Sequence, residues 1–83
     1  MNLYIGIDGS STKHDAVMIN EHGATIAAFT FPHSPDGFMH FDAQRAKTGV
    51  SAEACLVGIE TAYNMLIDFL WDRSYRQVYI VPP

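Results

Sequence analysis

The sequence predicts an α/β domain on one mixed five-stranded sheet, order 3-2-1-4-5, with strand 2 antiparallel to its neighbours. Three observations carry this. Apolar, β-type segments succeed one another at short spacing over residues 3–31, as in an antiparallel meander. The hydrophobic period then switches twice to helical spacing. Each helical stretch is followed by a short apolar run, at 54–59 and 77–81, as crossovers to parallel strands require.

The elements are taken in chain order. Residues 3–8, "LYIGID", read as a strand closed by Gly9. Residues 15–20, "DAVMIN", are the second strand. "EHG" at 21–23 is a turn in which Gly23 supplies positive φ, and residues 24–31, "ATIAAFTF", are the third strand. Ser34-Pro35-Asp36 starts a helix: Ser caps, Pro fits the first turn, and Asp faces the positive end of the dipole. Phe38 and Phe41 come next at i, i+3, and Gly49 stops the helix. "ACLVGI", 54–59, is a continuous apolar run expected to be buried on both faces. A second helix is expected to start near Thr61. Tyr63, Leu66, Ile67, Leu70 and Trp71 form its apolar stripe, widened by Met65 and Phe69 and packed on the sheet. "QVYIV", 77–81, is the fifth strand, ended by Pro82-Pro83.

At 83 residues the chain suits one small domain, or part of one, with a limited core. Its net charge is −4, and its cations are Lys13, Arg45, Lys47, Arg73 and Arg76. That argues against a self-sufficient nucleic-acid-binding module, which needs many phosphate contacts. It leaves room for a catalytic segment whose acids hold metal. Cys55 is the single cysteine, so no internal disulfide forms and a cytoplasmic setting is expected. Its apolar surroundings predict an inert, buried thiol. No apolar run approaches the roughly 18 residues of a membrane span, and no signal peptide is visible.

Asp8 ends the first strand and is followed by Gly-Ser-Ser-Thr. Glu60 ends the fourth, in "VGIET". With strands 1 and 4 adjacent, the two carboxylates lie side by side at the carboxyl ends of parallel strands, where open α/β sheets bind ligands. Close carboxylates repel and raise each other's pKa. A divalent cation relieves this, and carboxylate oxygens suit Mg²⁺ or Mn²⁺. Two such ions about 3.5–4 Å apart stabilise the attacking and leaving oxygens of a phosphodiester. The plainer alternative is that each acid orders the backbone next to it: Glu60 capping the helix near Thr61, Asp8 the Gly9-Ser10 turn. The matching strand ends favour metal.

The remaining polar residues read more simply. Four histidines lack metal-ligand spacing, and His14 reads as a solvated hairpin residue. Ser10, Ser11 and Thr12 are turn-formers. Lys13 is a candidate nucleic-acid phosphate contact. Arg73 and Arg76 suit a helix C-terminus, and Trp71 is a core anchor.

"YIGID", "HDAVMIN", "FTFPHSPDGF" and "CLVGIETAYNMLIDFLWDRSYRQVYIVPP" together resemble the N-terminal catalytic region of DEDD transposases. These are the insertion-sequence enzymes related to the Piv DNA invertases. The resemblance spans nearly the whole chain. It implies a RuvC-like, ribonuclease-H-like fold and an Asp-Glu-Asp-Asp tetrad whose first two members fall on Asp8 and Glu60, as catalytic metal ligands. The other two acids, and a functionally important serine of a C-terminal domain, would lie beyond residue 83. The chain is therefore expected to be the N-terminal part of the catalytic domain and inactive alone. The family further implies Mg²⁺-dependent (or Mn²⁺-dependent) cleavage and transfer of DNA strands, guided in some members by an RNA. Uncovered sheet edges predict a homo-oligomer. The sequence departs from the family at "DGSSTK" and "ETAYN", in the loops and not at the acids. Residues 8–13 also resemble the first phosphate loop of the sugar-kinase/actin/BadF-type ATPases, which share this sheet. That alternative would bind nucleotide phosphates there.

Overall fold

The structure, a computed structural model, describes residues 2–9, 12–60 and 63–81. Its five-stranded sheet has the order β3-β2-β1-β4-β5. β1 (Leu3–Gly9) pairs antiparallel with β2 (Lys13–Asn20) and parallel with β4 (Cys55–Ile59). β2 pairs antiparallel with β3 (Thr25–Pro32), and β4 pairs parallel with β5 (Gln77–Ile80). This is the expected order, with strand 2 antiparallel.

The period of two sorts the strands into faces. Leu3, Ile5 and Ile7 of β1, His14, Ala16 and Met18 of β2, and Cys55, Val57 and Ile59 of β4 are all buried. The apolar ones form one core with Phe38 and Phe41 of α1 (Pro35–Lys47) and Leu66 and Leu70 of α2 (Asn64–Asp72). Both helices therefore cover the same face. The opposite face carries Tyr4, Val17 and Tyr79, all exposed. β4 is accordingly buried on one face only, with Leu56 and Gly58 half-buried on the other. The apolar run suggested burial on both faces because Gly58 adds no polar side chain to break the pattern.

Local chemistry sets the connections. The Asn20 side chain accepts from the backbone N–H of His22 and Ala24, at 2.9 and 3.0 Å, and Gly23 takes φ +83°. β3 has a bulge against β2, its register passing from Met18↔Ala27 to Ile19↔Thr25. Ser34 caps α1 by accepting from the Gly37 N–H at 3.1 Å, with Pro35 next in the chain. At the far end Gly49 adopts φ +79°. A single 3₁₀ turn (Ala52–Ala54) precedes β4.

α2 begins later than expected, at Asn64, with Tyr63 as its N-cap and not its first apolar rung. Trp71 is 47% exposed, so it is not a core anchor. The helix is short enough for Leu66 and Leu70 to supply its buried side. It ends in a Schellman arrangement: the Ser74 N–H donates to Trp71 O at 3.1 Å and the Tyr75 N–H to Leu70 O at 3.0 Å. Ser74 adopts φ +72°, the only positive φ outside glycine among the described residues. Left-handed backbone penalises a Cβ by roughly 1 kcal/mol, so Ser74→Gly is expected to stabilise the chain by about 0.5–1 kcal/mol. Urea denaturation of the two proteins measures this directly.

Buried Tyr75 ties this turn to α1. Its hydroxyl donates to Asp42 Oδ1 at 2.7 Å, and Arg45 donates to the same oxygen at 2.8 Å and to Val50 O at 3.1 Å. Cys55 is buried beside this network, its Sγ donating to Ser51 O at 3.4 Å. Burial pushes the thiol up to about 11, so it stays protonated and unreactive, as its sequence context suggests. No helix among the described residues is long and apolar enough to cross a membrane.

Candidate metal centre

The β1–β4 ladder brings the two strand-end acids together. Its last paired residues are Ile7 and Ile59, and the Glu60 N–H continues it to Ile7 O at 3.3 Å. Asp8 and Glu60 thus leave neighbouring strands at the same level, both exposed on the face opposite the helices. Their carboxyls are close enough to share a proton. That hydrogen bond, then charge repulsion from Asp8, then slight desolvation, raise the Glu60 pKa above the ordinary carboxylate value. Glu60 does not cap α2, whose N-cap is Tyr63.

A third acid joins them. Asp15 of β2 stands directly opposite Asp8 in the antiparallel ladder. All three line one open cleft of about 450 Å³. Gly6 and Gly58, paired across β1 and β4, form its floor, flanked by Val17 and Val81. Asp15 falls within the "HDAVMIN" stretch, but no strand-end pattern marks it, so the sequence does not single it out as a site residue. The one available signal is periodicity: with a tight β1–β2 connection, the two-residue repeat puts it on the Asp8 face. Among the described residues, no three His, Cys, Asp or Glu side chains are placed to hold one metal ion. The close set is therefore the Asp8–Glu60 pair. Two close carboxylates, with no ion-pair partner among the described residues, are a donor set suited to a hard divalent cation.

Lys13 opens β2, exposed and two residues from Asp15 on the same face, but it does not line the cleft. Ser10, Ser11 and Thr61 lie outside the described residues.

Beneath the acids, on the helix side, the structure differs from expectation. His14 is fully buried, not a solvated hairpin residue. β2 starts at Lys13, two residues earlier than its apolar run, so His14 falls on the core face. Its Nε2 lies 2.8 Å from Nδ1 of His33, and it packs against Phe31 and edge-on to Tyr63, with ring centroids 4.8 Å apart. Burial first, then His33, lowers its pKa; Asp15 opposes this. His14 Nδ1 has no hydrogen-bond partner among the described residues. It abuts Gly9, where a Cβ would come within 2.4 Å of it. Gly9 is thus required by close approach. The Tyr63 hydroxyl donates to Gly9 O at 2.8 Å.

A family model for DEDD transposases of the IS110 type, described as transposase, matches residues 5–83. The chain belongs to this transposase family. The match covers both acids and all of the sheet except Leu3 and Tyr4 at the start of β1. No curated protein matches the chain in sequence. Among solved structures, a Bacteroides thetaiotaomicron protein described as having an actin-like ATPase fold and unknown function is similar, with TM-score 0.75 and 15% identity. It is covered over 32% of its length by 96% of this chain. At that identity the likeness shows the shared sheet architecture and nothing of activity. The chain thus spans about a third of that protein's length.

Proposed function

We propose that this chain is the N-terminal part of a RuvC-like catalytic domain that cleaves and transfers DNA strands with Mg²⁺ or Mn²⁺. In this reading Asp8 and Glu60 are two of its four acidic ligands. The observation that carries it is their contact at adjacent strand ends, within a transposase match that includes both. When bound, a divalent cation supplies Lewis-acid stabilisation of charge on phosphodiester oxygens. The chain's own part is to hold two carboxylates side by side at adjacent strand ends, beside an open cleft that admits a phosphate backbone. Lys13, on the same face, is placed to meet a neighbouring phosphate. DNA is the partner that the family implies; an RNA guide and a homo-oligomer belong to the same proposal.

In this reading the remaining two acids lie beyond residue 83, so the isolated chain is expected to lack nuclease activity. Cleavage by pure protein, abolished in Asp8→Asn, would overturn that. The open outer edges of β3 and β5 and the exposed Tyr4, Val17 and Tyr79 support self-association. Sedimentation at increasing concentration is expected to show dimers or larger species; a monomer throughout refutes this.

The decisive experiment is an NMR titration of labelled chain with Mn²⁺ and, separately, Mg²⁺-ATP. Broadening centred on Asp8 and Glu60, with no ATP response, supports the two-metal reading. Shifts confined to residues 9–13 with ATP, indifferent to Glu60→Gln, would instead support the ATPase-type phosphate loop.

A further inference from the structure

We propose that Tyr63 is a positioning residue for the acid pair: by donating its hydroxyl to Gly9 O, it ties the segment leaving Asp8 to the segment leaving Glu60. This rests on the reading of Asp8 and Glu60 as metal ligands. It adds a residue that neither the strand-end pattern nor the family resemblance singles out.

The β1–β4 ladder alone ties the two acids to each other only loosely. Its last bond is the Glu60 N–H to Ile7 O at 3.3 Å. Asp8 is paired on its β2 side, opposite Asp15, but toward β4 both acids lie beyond the last pair of the β1–β4 ladder and repel each other when ionised. The Tyr63 hydroxyl bridges 54 residues of sequence to grip the backbone one residue past Asp8, at 2.8 Å. Tyr63 also sits three residues past Glu60, so one side chain closes a ring through both strand ends.

Two features show that the position serves this purpose. Tyr63 occupies the N-cap of α2 but makes no side-chain cap bond. Ser, Thr, Asp or Asn would satisfy the helix there, and tyrosine does not. Its ring is also held from two sides, by His14 at 4.8 Å and His33 at 5.5 Å between centroids. Those two rings are themselves joined at 2.8 Å. Gly9 lets this cage press directly against the backbone behind Asp8. The hydroxyl is thus aimed by packing, which limits the entropy cost of its bond.

Tyr63→Phe keeps the ring and removes only the hydroxyl. Two readouts on the 83-residue chain separate positioning from simple packing. The first is metal-free amide hydrogen exchange. Exchange of the Glu60 amide is expected to accelerate about three- to tenfold, the worth of one hydrogen bond, while that of Val57, in mid-ladder, is unchanged. The second is Mn²⁺ affinity by electron paramagnetic resonance, expected to weaken by a similar factor. Unchanged exchange at Glu60, or equal acceleration at Val57, overturns the proposal, since the hydroxyl would then be idle or only globally stabilising. If the wild-type chain fails to bind Mn²⁺ while Glu60 exchange still responds locally, the metal reading falls and the positioning role stands.

Discussion

Glu60→Gln is expected to abolish Mn²⁺ binding at the Asp8 cleft and, at the same time, to raise the melting temperature of the metal-free chain. Removing one of two close ligands should cost more than the roughly tenfold in affinity that even supporting residues of metal sites command. The stability gain has the opposite origin. In the folded chain Glu60 sits against Asp8, and its pKa is raised, first by the shared hydrogen bond and then by repulsion. A carboxyl whose folded pKa is raised binds its proton more tightly folded than unfolded. Stability therefore falls as pH rises through that window. The penalty is fully present above the raised pKa and is relieved below the ordinary Glu value. Glutamine carries no charge and escapes it. The difference in melting temperature between the variant and wild type should thus be positive at about pH 7.5 and vanish near pH 4. His14 also titrates across this range in unfolded chain, but it is common to both proteins and cancels. A Glu60→Gln protein that binds Mn²⁺ as well as wild type, or is less stable in chelator at that higher pH, would remove the acid pair as the candidate site. The pattern expected is that of a site in which stability is given up for function.

That pair was legible from the sequence because two simple rules converge on it. Apolar runs ending in an acid place carboxylates at strand ends, and the βββαβαβ order makes the first and fourth strands neighbours. The sheet order, the Ser34 cap and the Gly49 stop were readable for similar reasons: each rests on local chemistry with few alternatives. What the sequence hid depends on tertiary placement. His14 looked solvated because charged neighbours flank it, yet strand pairing from Lys13 turns it inward. Tyr63 and Trp71 fitted a helical stripe, but the helix begins one residue after Tyr63, so the stripe loses its first rung and its last turns outward. Asp15 gave no sequence signal because its place at the cleft comes from the residue opposite it across the ladder.

Gly37→Ala is expected to destabilise the chain by about 1–3 kcal/mol, although helix propensity alone predicts the reverse. Gly37 lies in the first turn of α1. Exchanging glycine for alanine in a helix interior gains about 0.8–1 kcal/mol. Against that, a Cβ at position 37 would stand 2.0 Å from Pro32 O and 2.8 Å from Pro32 C. Both are backbone atoms, so no rotamer change relieves the clash, and α1 must move away from the end of β3. The neighbours then suffer. Ser34 loses its 3.1 Å bond to the Gly37 N–H, a cap worth about 1 kcal/mol. Buried Phe38 shifts against Phe31 and His33, and forced repacking typically costs about 1–3 kcal/mol. The sum of losses exceeds the propensity gain. Gly6 supplies the control. It lies in mid-strand on the cleft floor, and a Cβ there meets nothing within 4 Å. Gly6→Ala should therefore leave stability unchanged or raise it by about 0.5–1 kcal/mol. Equilibrium urea unfolding of both variants decides the matter. Opposite signs would show that backbone contact, not propensity, dictates glycine at position 37, and would leave Gly6 to be explained by the group that approaches the cleft. A stable Gly37→Ala protein would mean that α1 packs less closely on β3 than the structure shows.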